Sequence, residues 1–156
     1  MMVGIVMLPA ACRRPAQDDG KIFSAPEVRQ ADAAACLRVL NAVVTADNAR
    51  DLNAVMSLYA DDAVLLPPDE KVVIGKDLIR PRYQSLFDEF NPELSISHDE
   101  VIIDGDWTFI RGMTNGRMAP RNGGAARIVN DKYLMILRRQ ADGSWRIARL
   151  MWSKSG

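Results

Sequence analysis

The side chains best able to do chemistry here are one arginine, one histidine, two carboxylates and three phenols. Trp107, Phe109, Arg111 and Met113 recur at every second position. Along a strand such residues share one face, and its apolar character points it inward. A guanidinium on that face needs a counter-charge, because an unpaired buried charge is costly. Asp131 shares a face with Tyr133, Met135 and Leu137 on a later strand. Arg111 and Asp131 are therefore expected to form a buried ion pair. It reads either as a polar anchor or acid–base element in a pocket, or as a structural pair that closes the fold.

His98 is the chain's single histidine and sits between Ile96 and Ile102 on an alternating segment, with Glu100 on the same side. Imidazole is the natural general base near neutral pH, and a carboxylate two residues on would orient it. The plainer reading is a histidine at the strand end or rim. Tyr59, Tyr83 and Tyr133 are the phenols. A buried tyrosine keeps a polar tip that can donate to a substrate oxygen. Tyr59 and Tyr83 fall on helical faces that would look into the interior. Met7, Met56, Met113, Met118, Met135 and Met151 add adaptable apolar surface, which suits an organic ligand better than a sugar or a phosphate.

These groups need elements to hold them. Ser24 and Glu27 have capping-box spacing, with Pro26 in the first turn. Val28, Ala31, Ala35, Val39, Val43 and Ala46 then mark one face of a long helix. Asp51 is placed to cap a second helix with Leu52, Val55, Met56 and Tyr59 as its stripe, and Asp61–Asp62 as its solvated end. Short strands follow at Ala63 to Leu66 and Val72 to Ile74, then a third helix over 76–90 containing Pro81. After Asn91-Pro92 the period changes to two. Strands are predicted over 94–104, 107–118, 126–139 and 145–154, separated at Asp104-Gly105, Arg121 to Gly124 and Asp142-Gly143. Helices followed by a run of antiparallel strands mean an α+β fold with helices on one face of a sheet.

The chain has 156 residues, enough for one domain, and 48% are hydrophobic. Twenty basic residues balance twenty acidic ones, so no bulk charge draws the chain to nucleic acid. Two cysteines and one histidine cannot furnish the usual ligands of a structural zinc site, and no metal is expected. Neither a phosphate loop nor a G-x-S-x-G element is present. Residues 1–24 run MMVGIVMLPAAC and then a polar stretch. An apolar segment ending in small residues and Cys12 reads as a bacterial lipoprotein signal with a polar tether, or as a structureless start. The first reading implies membrane anchoring through a Cys12 lipid and a periplasmic protein; the second, a cytoplasmic one.

The segment NARDLNAVMSLYADD at 48–62, the AVLLPP that follows, Val73-Ile-Gly75, Gly105-Asp-Trp107, Lys132-Tyr-Leu134 and Asp142-Gly-Ser-Trp-Arg-Ile147 through Met151-Trp152 resemble a SnoaL-like domain. This is the ketosteroid-isomerase-like branch of the nuclear transport factor two-like superfamily, and the resemblance spans about 28–153. It implies a cone-shaped α+β barrel over 25–156: a curved antiparallel sheet wrapped around N-terminal helices, with a hydrophobic pocket at the open end and pairing as a homodimer through the sheet. In true isomerases of this branch the base, the oxyanion-donating tyrosine and the protonated aspartate fall at positions that here hold Pro67, Val43 and Met135. That activity is therefore not expected. The C-terminal aromatic of the family, which lines the pocket, falls at Trp152.

Two functions follow. One is a cofactor-free lyase, isomerase or hydrolase acting on a small, largely apolar, oxygenated organic compound. Arg111, Asp131, His98 and Tyr133 would be catalytic, and Tyr59, Tyr83, Met113, Met135 and Trp152 would contact the substrate. The other is a non-catalytic ligand-binding or accessory lipoprotein.

Overall fold

A computed structural model of the chain describes residues 26–155. The expectations for residues 1–24, including the Cys12 lipid, lie outside the described residues. Helix α1 (Pro26–Ala49) buries Cys36, Leu40, Val43 and Ala46 along one face. It closes where Arg50 takes a φ of 54° and the Asp51 N–H reaches back to the Ala46 carbonyl at 2.9 Å, the six-to-one bond that satisfies a helix end. The Asp51 side chain then accepts from the Ala54 N–H at 2.9 Å and caps α2 (Leu52–Leu58), as its spacing anticipated.

The chain continues through β1 (Tyr59–Leu66), β2 (Val73–Ile74), α3 (Lys76–Glu89), β3 (Phe90–Asp104), β4 (Trp107–Pro120), β5 (Arg127–Arg139) and β6 (Trp145–Lys154). The six strands form one sheet in the order β2-β1-β6-β5-β4-β3. Four neighbouring pairs are antiparallel, but β1 runs parallel to β6, so the sheet is mixed rather than wholly antiparallel. It has two ends, β2 and β3, and does not close. It curves around α1, α2 and α3, and the core fills the concave side. Leu40, Val55, Ile79, Ile110, Leu137 and Ile147 are at most 1% exposed; each such burial contributes roughly 1.5–3 kcal/mol.

Three local expectations are corrected. Tyr59 opens a strand instead of ending a helix, because its backbone pairs with Ile147 of β6. Asp61 and Asp62 therefore lie on a strand, ion-paired to Lys76 at 2.9 Å and Arg138 at 2.5 Å. Trp145 is buried in the core beneath the Arg139 guanidinium, which lies 4.4 Å from its ring centroid.

The third correction concerns β3. Its ladder with β4 slips between His98 and Glu100, leaving Asp99 as an extra residue. A bulge of this kind shifts the alternation by one. Ile96 faces the core before it and Val101 and Ile103 after it, whereas Ile102 is half exposed. The uniform face Ile96–His98–Glu100–Ile102 does not exist.

Candidate active site

The interior polar cluster begins with two phenols. Tyr59, the first residue of β1, is fully buried. Tyr83 reaches it from the inner stripe of α3, where Ile79, Tyr83 and Leu86 recur at helical spacing. Their hydroxyls are 2.8 Å apart and their rings 5.9 Å apart, with the Phe87 ring tilted against Tyr83 at 5.7 Å. Burial pushes both phenols well above the ordinary tyrosine range. Both stay protonated at any physiological pH. One hydroxyl donates to the other, so one O–H has no acceptor among the described residues.

Asp47 completes the cluster. It stands in the last turn of α1 on the buried stripe, following Cys36, Leu40 and Val43 at steps of four, three and four. Its Oδ1 is sealed from solvent and has no hydrogen-bond partner. Burial pushes the carboxyl up to about 7, because the charged form has lost its water. Its charge in turn raises both phenols, which places it within electrostatic reach of them. Trp152 of β6 packs against the same core and lies opposite Tyr133 in the β5–β6 ladder. A carboxyl that titrates near neutrality can take or return a proton. A phenol with an uncommitted O–H can donate to a developing oxyanion.

The residues expected from sequence divide between the two faces of the sheet. Tyr59, Tyr83, Tyr133, Met135 and Trp152 lie on the inner side. Tyr133 donates to the Ser97 carbonyl at 2.9 Å, and burial pushes its phenol up to about 12. Its proton is thus already committed. Arg111 does not point inward: β4 buries Thr108, Ile110 and Gly112 and turns Trp107, Phe109 and Arg111 out. The Arg111 side chain is 55% exposed and donates to Glu100 at 3.0 Å and Asp99 at 3.2 Å, both on β3. In the β4–β5 ladder Arg111 faces Leu134, while Asp131 faces Thr114. The Arg111–Asp131 pair is therefore not formed. Met113 shares the outer side of β4, opposite Lys132, and its Sδ lies 3.9 Å from the Ser155 hydroxyl. His98 is exposed opposite Gly112, and its expected orienting partner Glu100 is held by Arg111 instead.

Asp47 is the residue that sequence reasoning passed over. Its signal was present: an aspartate in register with the apolar stripe of α1, where a polar residue has no business unless the interior uses it. Among the described residues no group of three metal-ligating side chains comes together. Two surface clefts, of about 510 and 390 Å3, lie elsewhere, the first beside Phe90 and Arg121 and the second between α1 and Trp145.

An unclosed curved sheet wrapped on three helices, with a carboxyl and two phenols gathered inside, defines a cone-type α+β domain. The family model of the SnoaL-like domain matches residues 40–149, and the chain belongs to that family. The structure of a ketosteroid isomerase-like protein from Erwinia carotovora atroseptica is 32% identical, covers 79% of this chain and 95% of its own, and superposes with a TM-score of 0.73. A conserved protein from Planctomyces limnophilus is 27% identical over 80% of this chain and 98% of its own, with a TM-score of 0.75. An NTF2-like protein of unknown function from Pseudomonas putida shares the fold at 17% identity, with 80% and 87% coverage and a TM-score of 0.65. No curated protein matches the chain.

Proposed function

We propose that the interior of the cone is the binding site of a small, largely apolar, oxygenated organic compound, and that the protein acts on it as a cofactor-free lyase or isomerase. The observation that carries this is Asp47, a half-buried carboxyl with one sealed, unpartnered oxygen, a pKa of about 7 and two phenols within its electrostatic reach. A structural role would give Oδ1 a partner, since an unsatisfied buried acceptor costs about 1–3 kcal/mol. Asp47 in its charged form would abstract a proton next to a carbonyl. The uncommitted phenol of the Tyr59–Tyr83 pair would stabilise the oxyanion, and Asp47 would then return the proton. Met135, Tyr133 and Trp152 would form the apolar wall. This chemistry is not laid out as in the true isomerases of the branch. The positions matching their polar groups, Val43, Pro67 and Met135, are buried here and carry none.

The test is a thermal-shift screen of the full chain against steroids, terpenoids, aromatic ketones and polyketide-like acids. Each stabilising compound is then followed by proton NMR in D2O. Exchange of the hydrogen next to the carbonyl, lost in Asp47→Asn, supports the reading. Stabilisation without exchange favours the alternative, a non-catalytic ligand-binding or accessory module; the absence of polar groups at Val43, Pro67 and Met135 fits that alternative too.

A second copy of the chain would cover the convex sheet. That face exposes Trp107, Phe109, Ile102 and Met151 between 37% and 50%, more apolar surface than a solvated sheet face ordinarily carries in one place. Sedimentation of the full chain as a dimer, and as a monomer on Phe109→Asp, would support pairing through the sheet. A monomeric parent chain would remove it.

A further inference from the structure

Arg82 is a cation on the inner stripe of α3. Ile79 lies three positions before it, Tyr83 follows it and Leu86 lies four positions after, and all three pack into the core. Its guanidinium sits 5.9 Å from the Trp152 ring centroid. It is also close enough to lower both buried phenols slightly, against the larger effect of burial. Among the described residues it is the one cation that acts on both members of the phenol pair. Its central carbon lies over the indole, and its edge carries the donor fork. Such a fork holds a carboxylate by two parallel bonds.

In this structure the fork holds Glu70, with Arg82 Nη1 on Oε2 and Nη2 on Oε1, the latter at 3.0 Å. Glu70 belongs to the segment between β1 and β2, next to Asp69 at a φ of 60°. The Glu70 side chain is 50% exposed and that of Arg82 32%. An ion pair this open to water contributes little net stability. Replacing one carboxylate with another on the same fork therefore costs little.

We propose that the compound bound in the cone carries a carboxylate, which takes the place of Glu70 on the Arg82 fork while its carbonyl end reaches the Tyr59–Tyr83 pair. This rests on the cone interior being the ligand site, and it narrows the ligand to an apolar keto or hydroxy acid. Glu70 is then a placeholder that keeps the guanidinium oriented while the site is empty. Arg82 is a specificity residue, since it grips a part of the ligand that does not react.

The test uses a matched pair of probes, 4-oxo-4-phenylbutanoate and its methyl ester, titrated calorimetrically into the full chain and two variants. Both probes present the same aromatic ketone, and only one presents a carboxylate. The parent chain is expected to bind the acid at least tenfold more tightly than the ester. In Arg82→Gln the acid-to-ester ratio is expected to fall to about one. In Glu70→Gln the acid is expected to bind several-fold more tightly, because its competitor has gone. The ester binding as well as the acid, or Arg82→Gln keeping the preference, overturns the proposal and leaves the cone site standing. Glu70→Gln lowering the melting temperature with no change in acid affinity overturns it as well, because Glu70 then only staples its segment to α3. Neither probe binding at millimolar concentration overturns the proposal, and with it the cone as a site for aromatic ketones. Circular dichroism of each variant confirms that the fold is retained.

Discussion

The Tyr59 and Tyr83 hydroxyls lie 2.8 Å apart inside the cone, and the pair holds two protons but uses one. Two phenols that met only to satisfy each other would be better served by a backbone carbonyl apiece, as Tyr133 is by Ser97. Their arrangement instead leaves one O–H without an acceptor, within electrostatic reach of a carboxyl whose Oδ1 also has no partner. Removing either hydroxyl tests this. Tyr59→Phe and Tyr83→Phe are each expected to cost about 1 kcal/mol of stability. The double variant is expected to cost less than the sum, because the shared bond is lost only once. Chemical denaturation of the four proteins measures the difference, and additive losses would mean that the bond contributes nothing.

Asp47 makes stability depend on pH in a defined direction. Its pKa rises on folding from an ordinary carboxylate value to about 7. The folded chain therefore holds this proton more tightly than the unfolded chain does. The Asp47 contribution is unpenalised below about pH 4. It worsens as pH rises from about 4 to 7 and then levels off, at a cost on the order of 4 kcal/mol. Asp47→Asn has no proton to lose. It is expected to flatten this part of the profile and to be the more stable protein at pH 8. Denaturation midpoints at pH 5 and pH 8 for both chains decide the matter; parallel profiles would show that Asp47 is hydrated in solution.

Arg111 provides the contrast. It is exposed, and both of its partners, Asp99 and Glu100, are about half exposed. Exposed pairs contribute roughly 0–1 kcal/mol. Arg111→Ala is expected to shift stability by less than about 1 kcal/mol and to leave ligand affinity in the cone unchanged. A large loss of affinity in a folded Arg111→Ala chain would return Arg111 to the site.

Gly112 marks one of two places where the β3 backbone leaves no room for a side chain on β4, Gly116 being the other. A methyl group at this position would be driven onto the Ser97 carbonyl oxygen and to 2.8 Å from the His98 Cα. Both are backbone atoms, so nothing nearby can swing aside. Gly112→Ala is expected to destabilise the chain by about 1–3 kcal/mol and to disturb the Tyr133–Ser97 bond on the same stretch of β3. Thermal unfolding, together with the fluorescence of the chain, would report it; an unchanged melting temperature would mean that β3 yields easily there.

Much of this protein can be read along the chain. The helical stripe of α1, the Asp51 cap, the two-residue periods and the turn residues at Asp104-Gly105 and Asp142-Gly143 are local properties, and they placed the elements in order. The strand Trp145–Lys154 falls at the bounds its pattern implies. Alternation, however, says which residues share a face and not which face is inside. On β4 the large residues Trp107, Phe109 and Arg111 face out, and Thr108 and Gly112 face in. The concave side of a tightly curved sheet has little room there: Thr108 already meets Cys36 of α1 at 3.2 Å, and Gly112 meets the β3 backbone. Curvature, not hydrophobicity, chose the inner face. The bulge at Asp99 then carried the same choice onto β3 with a shifted phase. Asp47, Tyr59 and Tyr83 stand far apart in sequence, on α1, β1 and α3. Only Asp47 carries a local sign, its register with the α1 stripe, and the three become a cluster only when the sheet wraps the helices and takes most of their surface from water.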